Sequence, residues 1–390
     1  MKSKLKKWSL NVIIFFIILL MLEIILRFAN VTGRNQEEVL HPIVQNELTY
    51  KDYIPNSTFI RKPGRNDEFG EVINHINSIG IRGPELEKKK GFRVLNIGDS
   101  YVQAEELEFD KTFGEILNNE FKDSIEFISH GISSWAPTPM FSWILHKGLD
   151  LQPDEINLFL CINDFYRENI SNSSDANYRK SAIYENGIPI KYNVKTKSTN
   201  NMFIKIIAGI ELVRLPVLVY RKVKAAYKTA NSKDVISDDK STVNINLKDF
   251  LELKLLEKND SLWTEDFKNE IDNTIDVVVK MNEFLSNKNI VLNVYMIPLG
   301  FCWENETVGG KASYGLQEKE IITQTGFENY LYDVLNNKFK IKTYLLHKEI
   351  NTYKSKNPSE KLYFNFDGHW NNNGHRAIAR IMSNNIKKNK

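Results

Sequence analysis

Residues 94–101 (VLNIGDSY) form the stretch that decides the fold, because a strand predicted over residues 92–97 runs there into an abrupt polar turn. Gly98, Asp99 and Ser100 all favour turns, so an ordinary strand end is the simplest interpretation. The sharper interpretation is that the turn holds the Ser100 hydroxyl at the tip of the strand as a nucleophile. Which of the two holds depends on what the rest of the chain brings to the same place.

The composition indicates an ordinary globular protein. The 390 residues are 42% apolar and 26% charged, which suits one large domain or two modest ones. The net charge is only +3, and lysines within residues 2–7 and 387–390 more than account for it, so the sequence predicts no nucleic-acid partner. Cys161 and Cys302 match no zinc-site spacing and allow at most one disulfide.

The N-terminus predicts a membrane anchor. Four lysines within residues 1–7 precede an apolar run over residues 9–27, close to the ~20 residues that span a bilayer core. A cleaved signal peptide is the alternative, but no convincing small-x-small cleavage site follows the run. Residues 1–8 are therefore predicted to be a cytoplasmic tail, and residues 28–390 to lie outside the cytoplasm.

The remaining chain predicts an α/β domain. Residues 28–90 are interpreted as an irregular lead-in segment with turn signals, and residues 91–390 as one domain. Apolar strands alternating with helices imply a parallel sheet covered on both faces. An insertion at about residues 170–260 is interpreted as a lid, a substrate wall, a membrane-facing patch or a packed cap, and Asn186-Gly187 in it signals a hairpin. Strands are predicted over 92–97, 125–129, 155–162 and 290–297, and helices over 112–121, 139–149, 264–285 and from 371–373 onwards.

Polar and small residues at three strand ends, together with a C-terminal loop, make up a candidate catalytic set. Parallel strands bring their carboxyl ends to one edge of a sheet, where ligands bind. Ser100 supplies a nucleophile, His369 a base, and Asp367 a carboxylate that orients the base. The backbone N–H groups of Ser100 and Gly131 and the side-chain amide of Asn163 supply an oxyanion hole, and glycine leaves room for the substrate carbonyl.

Other interpretations of these residues stay open. His375 or His130 is an alternative base, although His375 falls within the last predicted helix. A metal site of Asp367, His369 and His375 has suitable donors but lacks a further ligand, so neither a metal nor a cofactor is predicted. Asp99 is expected to shape the turn rather than to act in catalysis.

Taken in order, Gly98-Asp99-Ser100, Gly131, Asn163-Asp164 and Asp367-x-His369 resemble the four motifs of the SGNH/GDSL hydrolase family, and the resemblance covers roughly residues 75–170 and 265–390. The resemblance implies a flavodoxin-like, three-layer α/β/α fold and metal-free Ser-His-Asp acyl chemistry. Residues 77–85 (NSIGIRGPE) and the N-terminal anchor also resemble membrane-anchored bacterial members. Tyr101 and Cys161 depart from the usual Leu and Gly, and the ending Asp-x-His-Trp resembles polysaccharide O-acetyltransferases.

These observations lead to three functional hypotheses. The first is an extracytoplasmic serine esterase that removes acyl groups, chiefly O-acetyl, from a cell-envelope glycan or lipid. The second is an O-acetyltransferase that modifies an exported polysaccharide with the same residues. The third is a catalytically silent glycan-binding protein, which the complete set of site residues disfavours.

Overall fold

The computed structural model divides the chain into two compact units. One comprises residues 1–40 and 195–241, and the other comprises residues 41–194 and 242–390. Most of the predicted insertion at 170–260 lies outside the described residues, as does residue 1 of the predicted cytoplasmic tail at residues 1–8. The structure describes residues 2–29, 42–63, 68–122, 124–169, 178–194, 216, 260–313, 316–323 and 325–388.

The secondary structure comprises the following helices and strands within the described ranges. The helices are α1 (Lys2–Ala29), α2 (Ser100–Gln103), α3 (Phe113–Phe121), α4 (Pro137–His146), α5 (Ile162–Asn169), α6 (Tyr178–Ser181), α7 (Glu265–Ser286), α8 (Val308–Ser313), α9 (Thr325–Leu331), α10 (Leu346–Lys356) and α11 (Asn372–Lys388). The strands are β1 (Ile43–Asn46), β2 (Tyr50–Tyr53), β3 (Thr58–Arg61), β4 (Val72–His75), β5 (Phe92–Gly98), β6 (Ile125–Gly131), β7 (Glu155–Cys161), β8 (Ala182–Glu185), β9 (Ile188–Tyr192), β10 (Val291–Ile297) and β11 (Lys342–Leu345). A π-helical segment, Tyr332–Lys338, continues α9.

The first unit contains α1, a helix of 28 residues. Within the described parts of the chain, no helix is both long enough and apolar enough to cross a membrane. The transmembrane segment predicted over residues 9–27 is therefore not confirmed.

The second unit is built on a five-stranded parallel sheet with the strand order β11-β10-β7-β5-β6. Counted along the chain, this is the flavodoxin-like order 2-1-3-4-5, in which the crevice for a ligand lies between the first and third strands. The prediction of an α/β fold with a parallel sheet is confirmed, with strand ends shifted by one or two residues. Strand β11 was not predicted, because four residues are too few to show a period.

A ladder of buried asparagines crosses the middle of this sheet. Asn96 of β5 lies opposite Asn157 of β7, which lies opposite Asn293 of β10. The Asn157 amide donates to Asn96 Oδ1 (3.1 Å), and the Asn293 amide donates to Asn157 Oδ1 (3.0 Å). Ser129 of β6 completes the row by accepting from the Asn96 amide (3.1 Å). Because a shifted strand would leave these buried amides without partners, the ladder stabilises one register and aligns the carboxyl ends of the strands.

Helices cover both faces of the sheet. α3 packs against α11, whereas α7 packs against α4 and α5. Crossovers between parallel strands are right-handed. The step from β5 to β6 and the step from β6 back to β7 run in opposite directions, so α3 and α4 lie on opposite faces. The result is the three-layer arrangement expected from the sequence.

The lead-in segment is more regular than predicted. Instead of turns alone it contains two antiparallel hairpins, β1–β2 and β3–β4. Each strand has only four residues, too short for an alternating pattern to stand out from the surrounding polar sequence. The hairpin signalled by Asn186-Gly187 does form as β8–β9, and both turn residues have positive φ (52° and 79°).

Candidate active site

The turn after β5 presents Ser100 as the first residue of α2. Asp99 caps this short helix, since its Oδ1 atom accepts the N–H of Tyr101 (3.0 Å). Asp99 therefore shapes the turn, as expected, and its Oδ2 atom also accepts from the Ser100 hydroxyl (3.3 Å). Ser100 is 8% exposed, so its hydroxyl lies at the edge of the crevice rather than in open solvent.

Residues 77–85 support the other end of α2. Arg82 is buried, and its guanidinium donates to the carbonyls of Gln103 (3.3 Å), Ala104 (2.7 Å) and Leu107. The last carbonyls of a helix have no partner within the helix, and a cation there also complements the helix dipole. Residues 77–85 therefore hold the helix that begins with Ser100.

Ser100, His369 and Asp367 form one continuous chain of hydrogen bonds. The Ser100 Oγ atom lies 2.8 Å from His369 Nε2, and His369 Nδ1 is hydrogen-bonded to Asp367 Oδ1. Asp367 also accepts the backbone N–H of His369 (3.2 Å), which fixes the carboxylate relative to the ring. In this arrangement the imidazole can take a proton from the hydroxyl while the carboxylate orients and stabilises it.

His369 and Asp367 shift each other's pKa. Burial disfavours a charged imidazole, but the hydrogen bond and charge of Asp367, followed by the charges of Glu106 and Asp99, outweigh it and raise the pKa of His369 to about 9. Burial would also raise the pKa of Asp367, but the hydrogen bonds and charge of His369 outweigh that effect and lower this pKa. Because a base must be neutral to accept a proton, a reaction that uses His369 accelerates as the pH rises towards 9.

Gly131 ends β6 directly opposite Gly98, which ends β5. A Cβ atom at Gly131 would lie 2.4 Å from the carbonyl oxygen of Asp99 and 2.8 Å from the amide nitrogen of Gln103. From the sequence, glycine is expected at this position because it leaves room for a substrate carbonyl. The structure gives a different reason, since the space is needed by the turn that carries Ser100.

Asn163 lies at the start of α5, at the carboxyl end of β7. The next residue, Asp164, fixes this junction because its Oδ2 atom accepts the N–H of Cys161 (2.8 Å). The Oδ1 atom of Asn163 is buried and has no hydrogen-bond partner among the described residues, and the side chain as a whole is partly exposed. β5, β6 and β7 thus bring Ser100, Gly131 and Asn163 to one edge of the sheet, as predicted from their positions at strand ends.

The two alternative bases lie elsewhere. His375 is 1% exposed, and its Nδ1 atom accepts the N–H of Phe113 (3.1 Å). His130 is stacked on Trp143, with ring centroids 4.3 Å apart. Burial lowers the pKa of each of these imidazoles to about 3. His369 is the histidine that is bonded to Ser100.

The donor atoms that a metal ion would need already have hydrogen-bond or ion-pair partners. Glu106, Asp367 and His369 each offer a ligand atom within 4.8 Å of the others. However, His369 Nδ1 is bonded to Asp367 and Nε2 to Ser100, so both ring nitrogens are used. The metal set considered from the sequence does not assemble, since His375 is bonded to Phe113 instead.

Tyr101 connects the nucleophile turn to the base loop, a role that sequence reasoning missed. Its hydroxyl donates to the carbonyl of Gly368 (3.0 Å), and Gly368 has the positive φ of 82° that suits glycine. Its ring packs edge-on against His369 (4.9 Å between centroids) and Trp370 (5.0 Å). Trp370 is buried, so the unusual residue after His369 supports the loop from within.

We expect Tyr101→Phe to lower kcat/KM for an acyl ester about three- to tenfold. The variant keeps the ring but loses a hydrogen bond worth about 1 kcal/mol that helps to position His369. Steady-state kinetics with p-nitrophenyl acetate measure the effect. Tyr353→Phe is the matched control, because it removes a hydroxyl bonded to Glu360 (2.9 Å). Equal kcat/KM for Tyr101→Phe and the unchanged protein would exclude this role.

Comparisons with known proteins yield structural similarities only. No family model matches the sequence, and no similar curated protein is found. The fold is similar to that of an acetyl xylan esterase, AlAXEase (TM-score 0.39, 13% identity, covering 76% of this chain and 100% of the other). It is also similar to a member of the lipolytic protein G-D-S-L family from Veillonella parvula (0.34, 10%, 74% and 95%) and to the esterase EstA from Pseudoalteromonas (0.36, 11%, 76% and 97%). Because these TM-scores lie below 0.5, the functional conclusion rests on the geometry of the site.

Proposed function

We propose that this protein is a serine esterase of the SGNH/GDSL type, with Ser100 as nucleophile, His369 as base and Asp367 as the carboxylate that orients the base. The observation that carries the proposal is the contact between Ser100 Oγ and His369 Nε2 at 2.8 Å, with Asp367 on the opposite ring nitrogen. A serine that merely closes a turn would need neither partner. The catalytically silent alternative does not explain why a strand-end turn and a loop 269 residues later meet so that Ser100, His369 and Asp367 are hydrogen-bonded in this order.

In the proposed reaction, Ser100 Oγ attacks the ester carbonyl carbon while His369 Nε2 takes the hydroxyl proton. The tetrahedral intermediate then collapses, its bond to the alcohol oxygen breaks, and His369 returns the proton to that alcohol. Water attacks the acyl-enzyme in the same way, so that a carboxylic acid leaves and Ser100 is restored. Asp367 stabilises the imidazolium in both steps. The backbone N–H groups of Ser100 and Gly131 and the Asn163 amide are proposed to stabilise the oxyanion.

The proposed substrate is an O-acetyl or other acyl ester of a cell-envelope glycan or lipid, hydrolysed outside the cytoplasm by a protein attached to the membrane through its N-terminus. Support for this part comes from the sequence, where a lysine cluster precedes the apolar residues 9–27. The resemblance of residues 77–85 to membrane-anchored bacterial hydrolases points the same way.

A fluorophosphonate probe tests the nucleophile directly, because it labels serines activated by a neighbouring base. We expect the unchanged protein to be labelled and Ser100→Ala to show no labelling. Ser142→Ala is the matched control, since Ser142 is buried and its hydroxyl donates to the carbonyl of Thr138 (3.1 Å) away from the base. Equal labelling of the unchanged protein and Ser100→Ala, or no labelling of either, would refute the assignment.

Hydrolysis and transfer are separated by a time course of acetate release from p-nitrophenyl acetate, with and without a glycan acceptor. For an esterase, acetate appears in water at the same rate in both reactions. If acetylated glycan forms faster than free acetate, the protein is a transferase that uses the same residues.

A further inference from the structure

Glu106 has a buried carboxylate that lies beside the His369 imidazole. The proposed reaction does not use this carboxylate. The Glu106 side chain is buried (7% exposed). One of its carboxylate oxygens lies within 4.8 Å of a carboxylate oxygen of Asp367 and of a ring nitrogen of His369. Its partner is Arg61, whose Nη2 atom lies 3.3 Å from Glu106 Oε1. Arg61 is the last residue of β3, in the lead-in segment that precedes the sheet.

The lead-in segment is attached to the loop that carries His369. Glu68 Oε2 accepts the backbone N–H of Asn365 (2.7 Å). The Phe69 ring packs against the Phe364 ring, with centroids 5.5 Å apart. The Arg61 guanidinium in turn lies 5.6 Å from the Phe69 centroid. These contacts hold Arg61 at a defined place next to the active site.

We infer that Arg61 and Glu106 act as a charge pair that controls how much of the His369 imidazole is neutral and able to accept a proton. The inference rests on the proposed esterase function. A negative charge on Glu106 stabilises the protonated ring, and the positive charge of Arg61 opposes that effect. Both are positioning residues, because they act on the base and form no bond to the substrate.

Other charged groups face the same imidazole, but their hydrogen bonds give them a structural part in the site. Asp367 holds the ring, and Asp99 caps α2. Burial raises the pKa of Glu106 above its ordinary value, and the lowering effects of the charges of His369 and Arg61 do not cancel that rise. Among the described residues, the charged and titratable groups that face His369 are Asp367 of its own loop, Asp99 and Tyr101 of the nucleophile turn, Glu106 after α2 and His375 of α11. The charge of Arg61 of β3 acts on Glu106 and Asp367.

The pH dependence of kcat/KM for p-nitrophenyl acetate, measured on the full chain, tests the inference. The acidic limb of this profile is the rise of kcat/KM with pH as His369 loses its proton. Glu106→Gln should move this limb to lower pH and raise kcat/KM at pH 7 about tenfold. Arg61→Gln should move the same limb to higher pH and lower kcat/KM at pH 7. If the two residues had only a structural role, both variants would have a lower kcat/KM, and the limb would not move in opposite directions.

The matched controls are Glu71→Gln and Lys62→Ala, which remove the same charges from an exposed ion pair of the same hairpin (3.6 Å). Solvent and salt screen that pair, so the limb should stay in place. A limb that moves in the same direction in Glu106→Gln and Arg61→Gln, or that does not move, overturns the inference. If Arg61→Gln does not fold by circular dichroism, the direction found for Glu106→Gln decides alone.

A titration of the His369 ring by ¹⁵N NMR separates this inference from the proposed function. The resonance is assigned by its loss in His369→Ala, and its midpoint is followed in the folded variants without any substrate. If the unchanged protein hydrolyses no ester, the esterase proposal fails, while opposite movements of this midpoint still support the charge pair. If esters are hydrolysed and the midpoint does not move, the charge pair is refuted and the esterase proposal stands.

Discussion

His369→Ala is expected to hydrolyse p-nitrophenyl acetate with a kcat/KM about 10⁴-fold below that of the unchanged protein. Without the imidazole, nothing removes the Ser100 proton as the Oγ atom attacks, and nothing protonates the leaving alcohol. The residual rate would come from binding and from the proposed oxyanion donors. Steady-state kinetics measure the loss, and circular dichroism verifies that the variant is folded.

His375→Gln is the control that makes this result specific. Its imidazole is buried and accepts the N–H of Phe113 (3.1 Å), and the amide oxygen of glutamine can accept the same bond. We therefore expect some loss of stability and a kcat/KM within about threefold of the unchanged value. If His375→Gln lost activity by orders of magnitude while His369→Ala remained active, the base would be His375 and the present assignment would be wrong.

The sheet and its site edge could be predicted because their signals are local. Each long buried strand shows as an apolar run, and the carboxyl ends of parallel strands must meet at one edge. Ser100, Gly131 and Asn163 were therefore placed together from three separate motifs. Asn96, within the strand of the opening stretch, carried no such signal, since its ladder partners belong to strands elsewhere along the chain.

Arg61, Glu106 and Tyr101 could not be recognised in the same way. Arg61 lies in a four-residue strand within a polar segment, and its pairing with Glu106 depends on how two hairpins fold onto the domain. Tyr101 is next to the nucleophile, yet its hydrogen bond reaches Gly368, 267 residues later. Such contacts are set by tertiary packing, which neither periodicity nor turn chemistry encodes.

Gly131→Ala is expected to impair both stability and activity, because the added methyl group would meet backbone atoms. Its Cβ would lie 2.4 Å from the Asp99 carbonyl oxygen, 2.8 Å from the Gln103 amide nitrogen and 3.0 Å from the Gly98 carbonyl oxygen. No rotamer change relieves such contacts, so β6 or the turn carrying Ser100 must shift. Overpacking of this kind costs about 1–3 kcal/mol, and a displaced nucleophile lowers kcat/KM about 100-fold.

Urea unfolding and kinetics with p-nitrophenyl acetate measure the two effects of Gly131→Ala separately. Gly70→Ala is the matched control, since Gly70 is exposed and a Cβ there would have no atom within 4 Å. That variant should keep both its stability and its kcat/KM. If Gly131→Ala retained full activity, the added methyl group would not have displaced Ser100 from its hydrogen bond with His369 (2.8 Å). The close packing of Gly131 against the turn would then not matter for catalysis.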